Sequence, residues 1–258
     1  MVLPYMILVP LYIYPNATSW NPLYESLAAY PNTTFNIVIN PGSGPGPNPL
    51  PDLGYIDGIA KLNKYNNSNL LGYVDANYAF DPPSALKAIN QISTYANWSK
   101  ADSAQHIHVN GIFFDDAPIY YSDFAYGYMK NISSAARNMS LSTIVFNPGN
   151  LNTSSRYYDL ADYLIISEDT FANLNETLLL SKTPRKYRKQ TALIIHGFNA
   201  TKEEQFHVVQ KFLSDGFGGL FITTKAHPVE YFSFSDLWSD FVSIIGTIVG
   251  VGNRKDTK

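Results

Sequence analysis

The sequence predicts a single-domain (β/α)8 barrel spanning residues 1–258. Eight short apolar runs recur at fairly even intervals. They are nearly continuous in Val, Ile, Leu, Phe and Tyr, which is typical of parallel strands covered on both faces. Longer segments with apolar residues at helical spacing lie between most of them. Eight such units in about 250 residues is the count of a (β/α)8 barrel.

The predicted strands are apolar runs that stop at turn-forming or polar residues. They are Met6–Tyr14, Thr34–Asn40, Leu70–Asp75, Gly111–Asp115, Ser142–Asn147, Tyr163–Glu168, Ala192–His196 and Gly218–Thr223.

Helices are predicted in six of the intervals, from apolar spacing and from start signals such as the prolines at 82 and 83. They are Ser19–Ala29, Asp52–Tyr65, Pro82–Trp98, Phe124–Met139, Lys202–Leu213 and Ser235–Ile248. The stretch 152–183, around the sixth strand, gives no clear helical pattern.

A doubly wound open sheet would also alternate strands and helices, but it usually carries a phosphate-binding loop after its first strand. The glycine-rich stretch Gly42–Gly46 has neither the dinucleotide nor the Walker spacing, and it contains no lysine. Its prolines also remove backbone donors. A nucleotide cofactor is therefore not expected, and no other cofactor is predicted.

Composition excludes several classes of protein. A net charge of −3 gives no basic footprint for nucleic acid. The basic run Pro184–Lys189 is short and is interpreted as a solvated loop. The chain has no cysteine, which excludes disulfides and zinc–thiolate sites. A monomer is expected.

Nine Asn-X-Ser/Thr sequons are present, at Asn16, Asn32, Asn66, Asn97, Asn131, Asn138, Asn152, Asn175 and Asn199. Shuffling the residues would give roughly three. The excess favours a secreted or cell-surface glycoprotein over a merely Asn-rich surface. Residues 1–5 lack a basic leader region, so a leader or anchor is expected to be absent from this chain. The apolar tail Phe241–Val251 is too short to span a bilayer and predicts a packing helix.

Two predicted strands end in adjacent acids. Gly111–Asp115 is followed by Asp116, and the sixth strand delivers Glu168 and Asp169. Ionised carboxylates are costly to desolvate, so acids at the end of a buried strand indicate chemistry or tight polar binding. The carboxyl ends of barrel strands share one rim. A pair of carboxylates at one rim is what a glycoside hydrolase requires.

Other polar residues are predicted at the same rim, and they suit a neutral polyhydroxylated ligand better than a phosphate. They are Tyr12, Tyr14, Asn40, Asp75, Asn147 and His196. Asn40 and Asn147 each begin an Asn-Pro-Gly strand ending, for which a turn-forming role and a sugar-contacting role remain equally open. His196 is equally open between a binding role and a structural one. Aromatic residues make up 14% of the chain and can stack on sugar rings, although most must be core.

No metal is predicted. His106 and His108 could share one face of a strand, but they precede the fourth strand and so lie away from the predicted site. A Ser-His-Asp hydrolase is also not indicated, because the chain has no GxSxG elbow.

Several motifs together resemble the spherulin-4-like proteins, grouped as glycoside hydrolase family 135. They are Val9–Pro15 (VPLYIYP), Val38–Gly46 (VINPGSGPG), Tyr55-Ile56 with Ile59–Leu62 (IAKL), Leu71–Val74 (LGYV) and Gly111–Pro118 (GIFFDDAP). They span the first half of the chain in the expected order, and the second half matches mainly through the strand that carries Glu168.

The resemblance implies a (β/α)8 fold and endo-acting hydrolysis of α-1,4-linked N-acetylgalactosamine in a fungal exopolysaccharide, galactosaminogalactan. It also implies carboxylate catalysis by the fourth-strand acids and the sixth-strand Glu168. This chain has Asp115-Asp116 where the family commonly has Asp-Glu, so its second side chain is one methylene shorter. Asp75 also stands where many relatives carry a smaller polar residue.

The resulting hypothesis is a retaining endo-glycosidase with Asp115 as nucleophile and Glu168 as general acid/base. Asp116 is expected to orient the site or to bind a hydroxyl. In a substrate-assisted variant, Asp116 would instead stand beside the N-acetyl group. The alternative is a carbohydrate-binding or coat protein without activity, on the same barrel. A polysaccharide deacetylase is less favoured, since no metal triad is visible.

Overall fold

The computed structural model describes residues 5–101 and 105–255, with side chains up to residue 249. Its centre is a closed barrel of eight parallel strands, each paired with the next in sequence and the eighth with the first. The predicted (β/α)8 fold is confirmed. The strands are β1 Met6–Leu11, β2 Thr34–Ile39, β3 Ser68–Asp75, β4 Gly111–Asp115, β5 Thr143–Phe146, β6 Tyr163–Thr170, β7 Thr191–His196 and β8 Gly219–Ile222.

Eight α-helices surround the barrel in the described residues. They are α1 Asn21–Ala29, α2 Leu53–Leu62, α3 Pro82–Asn97, α4 Asp123–Asn138, α5 Glu176–Lys182, α6 Arg185–Arg188, α7 Lys202–Ser214 and α8 Trp238–Lys255. All six predicted helices are present. Between β5 and β6, a short 3-10 helix, Ser155–Asp159, takes the place of a full helix.

Side-chain caps explain where several helices begin. The Asp81 carboxylate accepts a hydrogen bond from the Ser84 amide at the start of α3, and Ser122 does the same for Ala125 in α4. Thr201 and Glu204 form a reciprocal capping box at α7. Such caps satisfy amides that have no partner within the helix. They fix the points at which the loops of the barrel mouth give way to helix.

Three segments differ from the sequence-based expectation. Strand β1 ends at Leu11, so Tyr12 and Tyr14 lie in the loop that follows. Strand β6 continues to Thr170 through an irregularity between Ile165 and Ser167. The basic run at 184–189, interpreted from the sequence as a loop, contains the short helix α6. Arginine and lysine have a high helix propensity, which explains the difference.

The predicted terminal helix is confirmed as α8, whose residues Phe241, Val242 and Ile245 are buried. Among the helices described here, none has the length and apolar character needed to cross a membrane.

We predict that Gly111→Ala destabilises the protein strongly. A Cβ at this position in β4 would lie 2.0 Å from the Thr143 carbonyl oxygen of β5. Since backbone must move to relieve the clash, the free energy of unfolding should fall by about 3 kcal/mol or more. Chemical denaturation measures the change.

Gly127→Ala is the matched control, because a Cβ at this exposed position in α4 meets nothing within 4 Å. Alanine should stabilise that helix by about 0.5–1 kcal/mol. Equal effects of the two substitutions would contradict the packing of β4 against β5 described above.

Candidate active site

Three side chains from neighbouring strands meet at the mouth of the barrel. The Asn147 Nδ2 atom, just after β5, donates hydrogen bonds to Asp115 Oδ1 at 2.9 Å and to Glu168 Oε2 at 2.6 Å. Asp115 ends β4, and Glu168 lies near the end of β6. The two acids that the sequence singled out are therefore joined by one amide group.

The shared donor limits the distance between the two carboxylates. Asp115 Oδ1 and Glu168 Oε2 can be separated by no more than the sum of their bonds to Asn147, which is 5.5 Å. Retaining glycosidases place their carboxyl groups about 5–5.5 Å apart, and inverting ones about 6.5–9.5 Å apart. The upper limit of 5.5 Å between the two carboxylates agrees with the spacing of retaining glycosidases.

Two tyrosines complete the hydrogen bonding of the pair. The Tyr73 hydroxyl, from β3, donates to Asp115 Oδ2 at 2.9 Å, and the Tyr231 hydroxyl donates to Glu168 Oε1. Tyr12 lies between these tyrosines, with ring centroids 5.8 Å from Tyr73 and 5.3 Å from Tyr231, both edge-to-face. We call these six residues, Tyr12, Tyr73, Asp115, Asn147, Glu168 and Tyr231, the mouth ring.

The environment of Asp115 favours its protonated form. Burial raises the pKa of Asp115 to about 6, and the negative charge of Glu168 adds to the rise. The hydrogen bond from Tyr73 acts in the opposite direction, because it stabilises the carboxylate. Burial also raises the pKa of the Tyr73 and Tyr231 phenols far above the usual range. Both phenols therefore stay protonated and act as donors at physiological pH.

Strand alternation explains why these residues face one another. A Cβ on Gly72 would meet the Tyr95 ring of α3, so Gly72 faces the helix layer and Tyr73 faces the barrel interior. The Tyr73 ring is stacked on Phe113, two residues before Asp115 on β4. Asp115 therefore points inward from the same face of β4, two residues closer to the mouth.

The loop after β5 brings Asn147 and Glu168 together. The Asn147 amide donates to the Phe114 carbonyl of β4 at 2.8 Å, which anchors the end of β5. Gly149 has a φ of 60°, a left-handed conformation that suits glycine. Its amide donates to the Ile165 carbonyl at 3.0 Å, and its carbonyl accepts from the Glu168 amide at 3.3 Å. The Asn-Pro-Gly ending thus fixes both an amide side chain and its acidic partner.

Asp116 and Asp75 lie beside the mouth ring and hold the loop after β3. Asp116 has a φ of 47°, and its carbonyl accepts from the Tyr78 amide at 2.7 Å. A hydrogen bond to the Asp116 carboxylate raises the pKa of the Tyr78 phenol to about 12. Asp75 Oδ1 accepts from the Asn77 amide at 2.7 Å.

Asn40 and Tyr14 make local contacts away from the mouth ring. Asn40 Oδ1 accepts from the Gly44 amide at 2.9 Å, as expected of a turn former. The half-exposed Tyr14 donates to Asp52 Oδ1 at 3.0 Å, and Asp52 also caps α2. The structure therefore joins these two predicted residues to loop and helix starts and not to the carboxylates.

Asp169 and His196 have different surroundings. Asp169 lines a cavity of about 260 Å³ beside α5, together with Lys182. Its Oδ1 accepts from Asn173 Nδ2 at 2.9 Å. His196 ends β7, and its buried Nδ1 atom has no hydrogen-bond partner in the described structure. A buried polar atom without a partner is unusual in a folded protein.

Sequence reasoning missed Tyr73 and Tyr231. The sequence could have indicated Tyr73, because it lies two residues before Asp75 on β3 and so shares the same face of the strand. Tyr231 had none, since it lies in the irregular loop between β8 and α8. Within residues 5–101 and 105–255, no three His, Cys, Asp or Glu side chains are grouped as metal ligands.

A closed parallel barrel with a carboxylate pair at its carboxyl-end mouth has the arrangement in which (β/α)8 enzymes hold their catalytic groups. The model of one particular family, Spherulin4 (spherulation-specific family 4), matches residues 6–245. The chain belongs to this family.

Two related proteins are similar over much of the chain. Spherulin-4 of Physarum polycephalum is 29% identical over 173 residues, which are 66% of this chain and 47% of that protein. The chain thus spans about half the length of this curated relative. The crystal structure of Aspergillus clavatus Sph3 in complex with GalNAc is 33% identical. It covers 95% of this chain and 98% of its own, with a TM-score of 0.87.

More distant barrels share the fold alone. A β-glucuronidase from Ruminococcus gnavus is 12% identical with a TM-score of 0.53, covering 94% of this chain and 48% of its own. A Bacteroidetes-affiliated GH5 cellulase is 8% identical with a TM-score of 0.51, covering 95% of this chain and 90% of its own.

We predict that Tyr73→Phe raises the pKa of Asp115 beyond its value of about 6, because it removes a donor that stabilises the carboxylate. Carbon NMR of the labelled aspartate carboxyls, followed against pH, measures the change. The matched variant Tyr231→Phe removes a donor from Glu168 and should move Asp115 less. A pKa of Asp115 that stays the same or falls in Tyr73→Phe would contradict the described contact.

Proposed function

We propose that this protein is a retaining endo-glycosidase that cleaves α-1,4-linked N-acetylgalactosamine in galactosaminogalactan. The observation that carries the proposal is the Asn147 amide that joins Asp115 and Glu168 within 5.5 Å. The likeness to Sph3, whose crystal structure contains GalNAc, supports the choice of sugar.

The proposed reaction has two steps. In the first, the Asp115 carboxylate attacks the anomeric carbon while the glycosidic C–O bond breaks, and Glu168 gives its proton to the leaving oxygen. In the second, Glu168 takes a proton from water, which attacks the glycosyl ester and releases Asp115. Two inversions leave the product in the α configuration of the substrate.

The remaining residues of the mouth hold the pair and the sugar. Asn147 and Tyr73 stabilise the ionised form of Asp115 that attacks. Tyr231 orients Glu168, and Tyr12 offers a hydroxyl and a ring edge to the substrate. His196, at the end of β7, is proposed to contact the sugar from the same rim. Asp116, one strand position beyond the nucleophile, is proposed to orient the loop beside the sugar.

A secreted or cell-surface location is part of the proposal. All nine sequon asparagines are exposed in the structure, so each could carry a glycan without unfolding the chain. An extracellular location also suits a polysaccharide substrate.

We predict that Asp115→Asn and Glu168→Gln each lower kcat/KM on α-1,4-linked N-acetylgalactosamine oligosaccharides by about 10³-fold or more. NMR of the first-formed product of the wild-type protein should give the α anomer. Glu25→Gln, on the exposed face of α1, is the control and should keep full activity.

Binding of the oligosaccharide by the wild-type protein with no turnover would overturn the enzyme assignment in favour of a carbohydrate-binding protein. A β product would overturn the retaining mechanism.

We also predict that kcat/KM rises with pH through about 6. The pKa of Asp115 is raised to about 6, so below that pH the group is protonated and cannot attack. As the pH rises through the pKa, the carboxylate forms and activity appears. A rate that instead falls through pH 6 would assign the proton-donating role to Asp115 and exchange the two roles. If Tyr73→Phe shifts the pH at which kcat/KM rises, that pH dependence belongs to Asp115.

A further inference from the structure

Exposed aromatic rings are concentrated on one side of the barrel mouth. Tyr78, Phe80 and Tyr120 have exposed fractions of 56%, 80% and 72%. Together with Tyr121 and Phe124, they line a groove of about 420 Å³ between the loop after β3 and the loop after β4. We call it the aromatic groove. A contiguous exposed apolar surface of this kind marks a binding surface more often than chance.

The aromatic groove adjoins the end of β4, because the Tyr78 phenol that lines it is hydrogen-bonded to the carboxylate of Asp116, next to Asp115. The Tyr78 amide donates to the Asp116 carbonyl at 2.7 Å, and the Ala76 amide donates to the Asp115 carbonyl at 2.8 Å. The far wall is also fixed, since the Tyr157 hydroxyl donates to the Tyr120 carbonyl at 2.9 Å. The groove therefore lies beside the residues that follow Asp115, within the length of a few sugar units.

The side of the groove formed by the loop after β3, which carries Tyr78, has a strained backbone conformation. Asn77, Tyr78 and Ala79 have φ values of 46°, 51° and 56°, a left-handed turn of three residues without glycine. This conformation costs Tyr78 and Ala79 about 1–2 kcal/mol each, whereas asparagine adopts it more readily. Conformations of this kind persist where neighbours hold them, and they cluster at ligand sites. Here Asp75, Asp116 and Ser84 hold the turn.

The chemistry of the groove selects its occupant. Its lining contains aromatic, aliphatic and hydroxyl side chains and no charged one. One basic side chain lies at its edge, since the Arg156 guanidinium is 4.9 Å from the centroid of the Tyr121 ring, whereas a surface of anionic lipid headgroups would require a cluster of them. The C–H faces of pyranose rings pack on aromatic faces, and tyrosine hydroxyls bond to sugar hydroxyls.

We propose that the aromatic groove is a binding subsite for sugar units of the substrate chain beyond those that touch the carboxylates. It makes the protein select long chains over short ones. This inference rests on the proposed function for the identity of the polymer. The groove holds the chain through the faces of Phe80 and Tyr120, which are the rings most open to a ligand.

The test compares Phe80→Ala/Tyr120→Ala with wild type on an α-1,4-linked N-acetylgalactosamine trisaccharide and on the polymer. The ratio of kcat/KM on polymer to kcat/KM on trisaccharide should fall about tenfold, mainly through KM, as loss of ring stacking predicts. Tyr120→Phe keeps the ring and should keep the ratio. Phe206→Ala removes an exposed ring on α7, on another side of the barrel, and is the control.

Equilibrium binding of the polymer and the trisaccharide, measured for the same variants without reference to turnover, separates the two proposals. If wild type binds the polymer without cleaving it and the double variant binds it about tenfold more weakly, the subsite stands and the glycosidase fails. An unchanged ratio and unchanged polymer binding in the double variant would overturn the subsite. A second result would also overturn the subsite. If the wild-type protein sediments as a dimer and the double variant as a monomer, a second copy of the chain covers the groove.

Discussion

One neutral amide between two acids is the constraint on which the site depends. At 5.5 Å, two ionised carboxylates repel each other by roughly 3 kcal/mol at an effective dielectric constant of 20. The Asn147 nitrogen donates to both and offsets part of that repulsion without supplying a positive charge. A lysine in its place would neutralise one acid. The amide instead leaves the pair able to share one proton, which is the state that acid–base chemistry needs.

The barrel supplies rigidity where the proposed chemistry lies and irregular backbone where the ligand is proposed to bind. Asp115 and Glu168 belong to strands, and Tyr73 reaches the pair from a third. Around them, left-handed residues at Asp116 and Gly149 turn the chain sharply out of the strands. Side chains on rotamers fixed by packing can be held to the accuracy that catalysis needs, whereas loops can carry the contacts to a long and variable polymer.

Much of this arrangement is visible in the sequence, because it depends on local patterns. Continuous apolar runs predict the strands, and acids at their ends predict the pair at the rim. Asn40 and Asn147 share one motif yet differ in role, since the first side chain closes its own turn and the second bonds to acids on the two neighbouring strands. Tyr231 is unpredictable because an irregular loop brings it to Glu168 from 63 residues away. The irregularity in β6 likewise decides which of Glu168 and Asp169 joins the ring.

The most direct measurement is to trap the reaction intermediate. With an activated fluoroglycoside of N-acetylgalactosamine, a retaining enzyme should form a glycosyl-enzyme faster than water removes it, and mass spectrometry of the digested protein would locate the sugar. The account predicts one sugar bound as an ester to Asp115. Turnover of the reagent with no covalent sugar on Asp115, or a sugar on another carboxylate, would contradict it and would favour participation by the N-acetyl group.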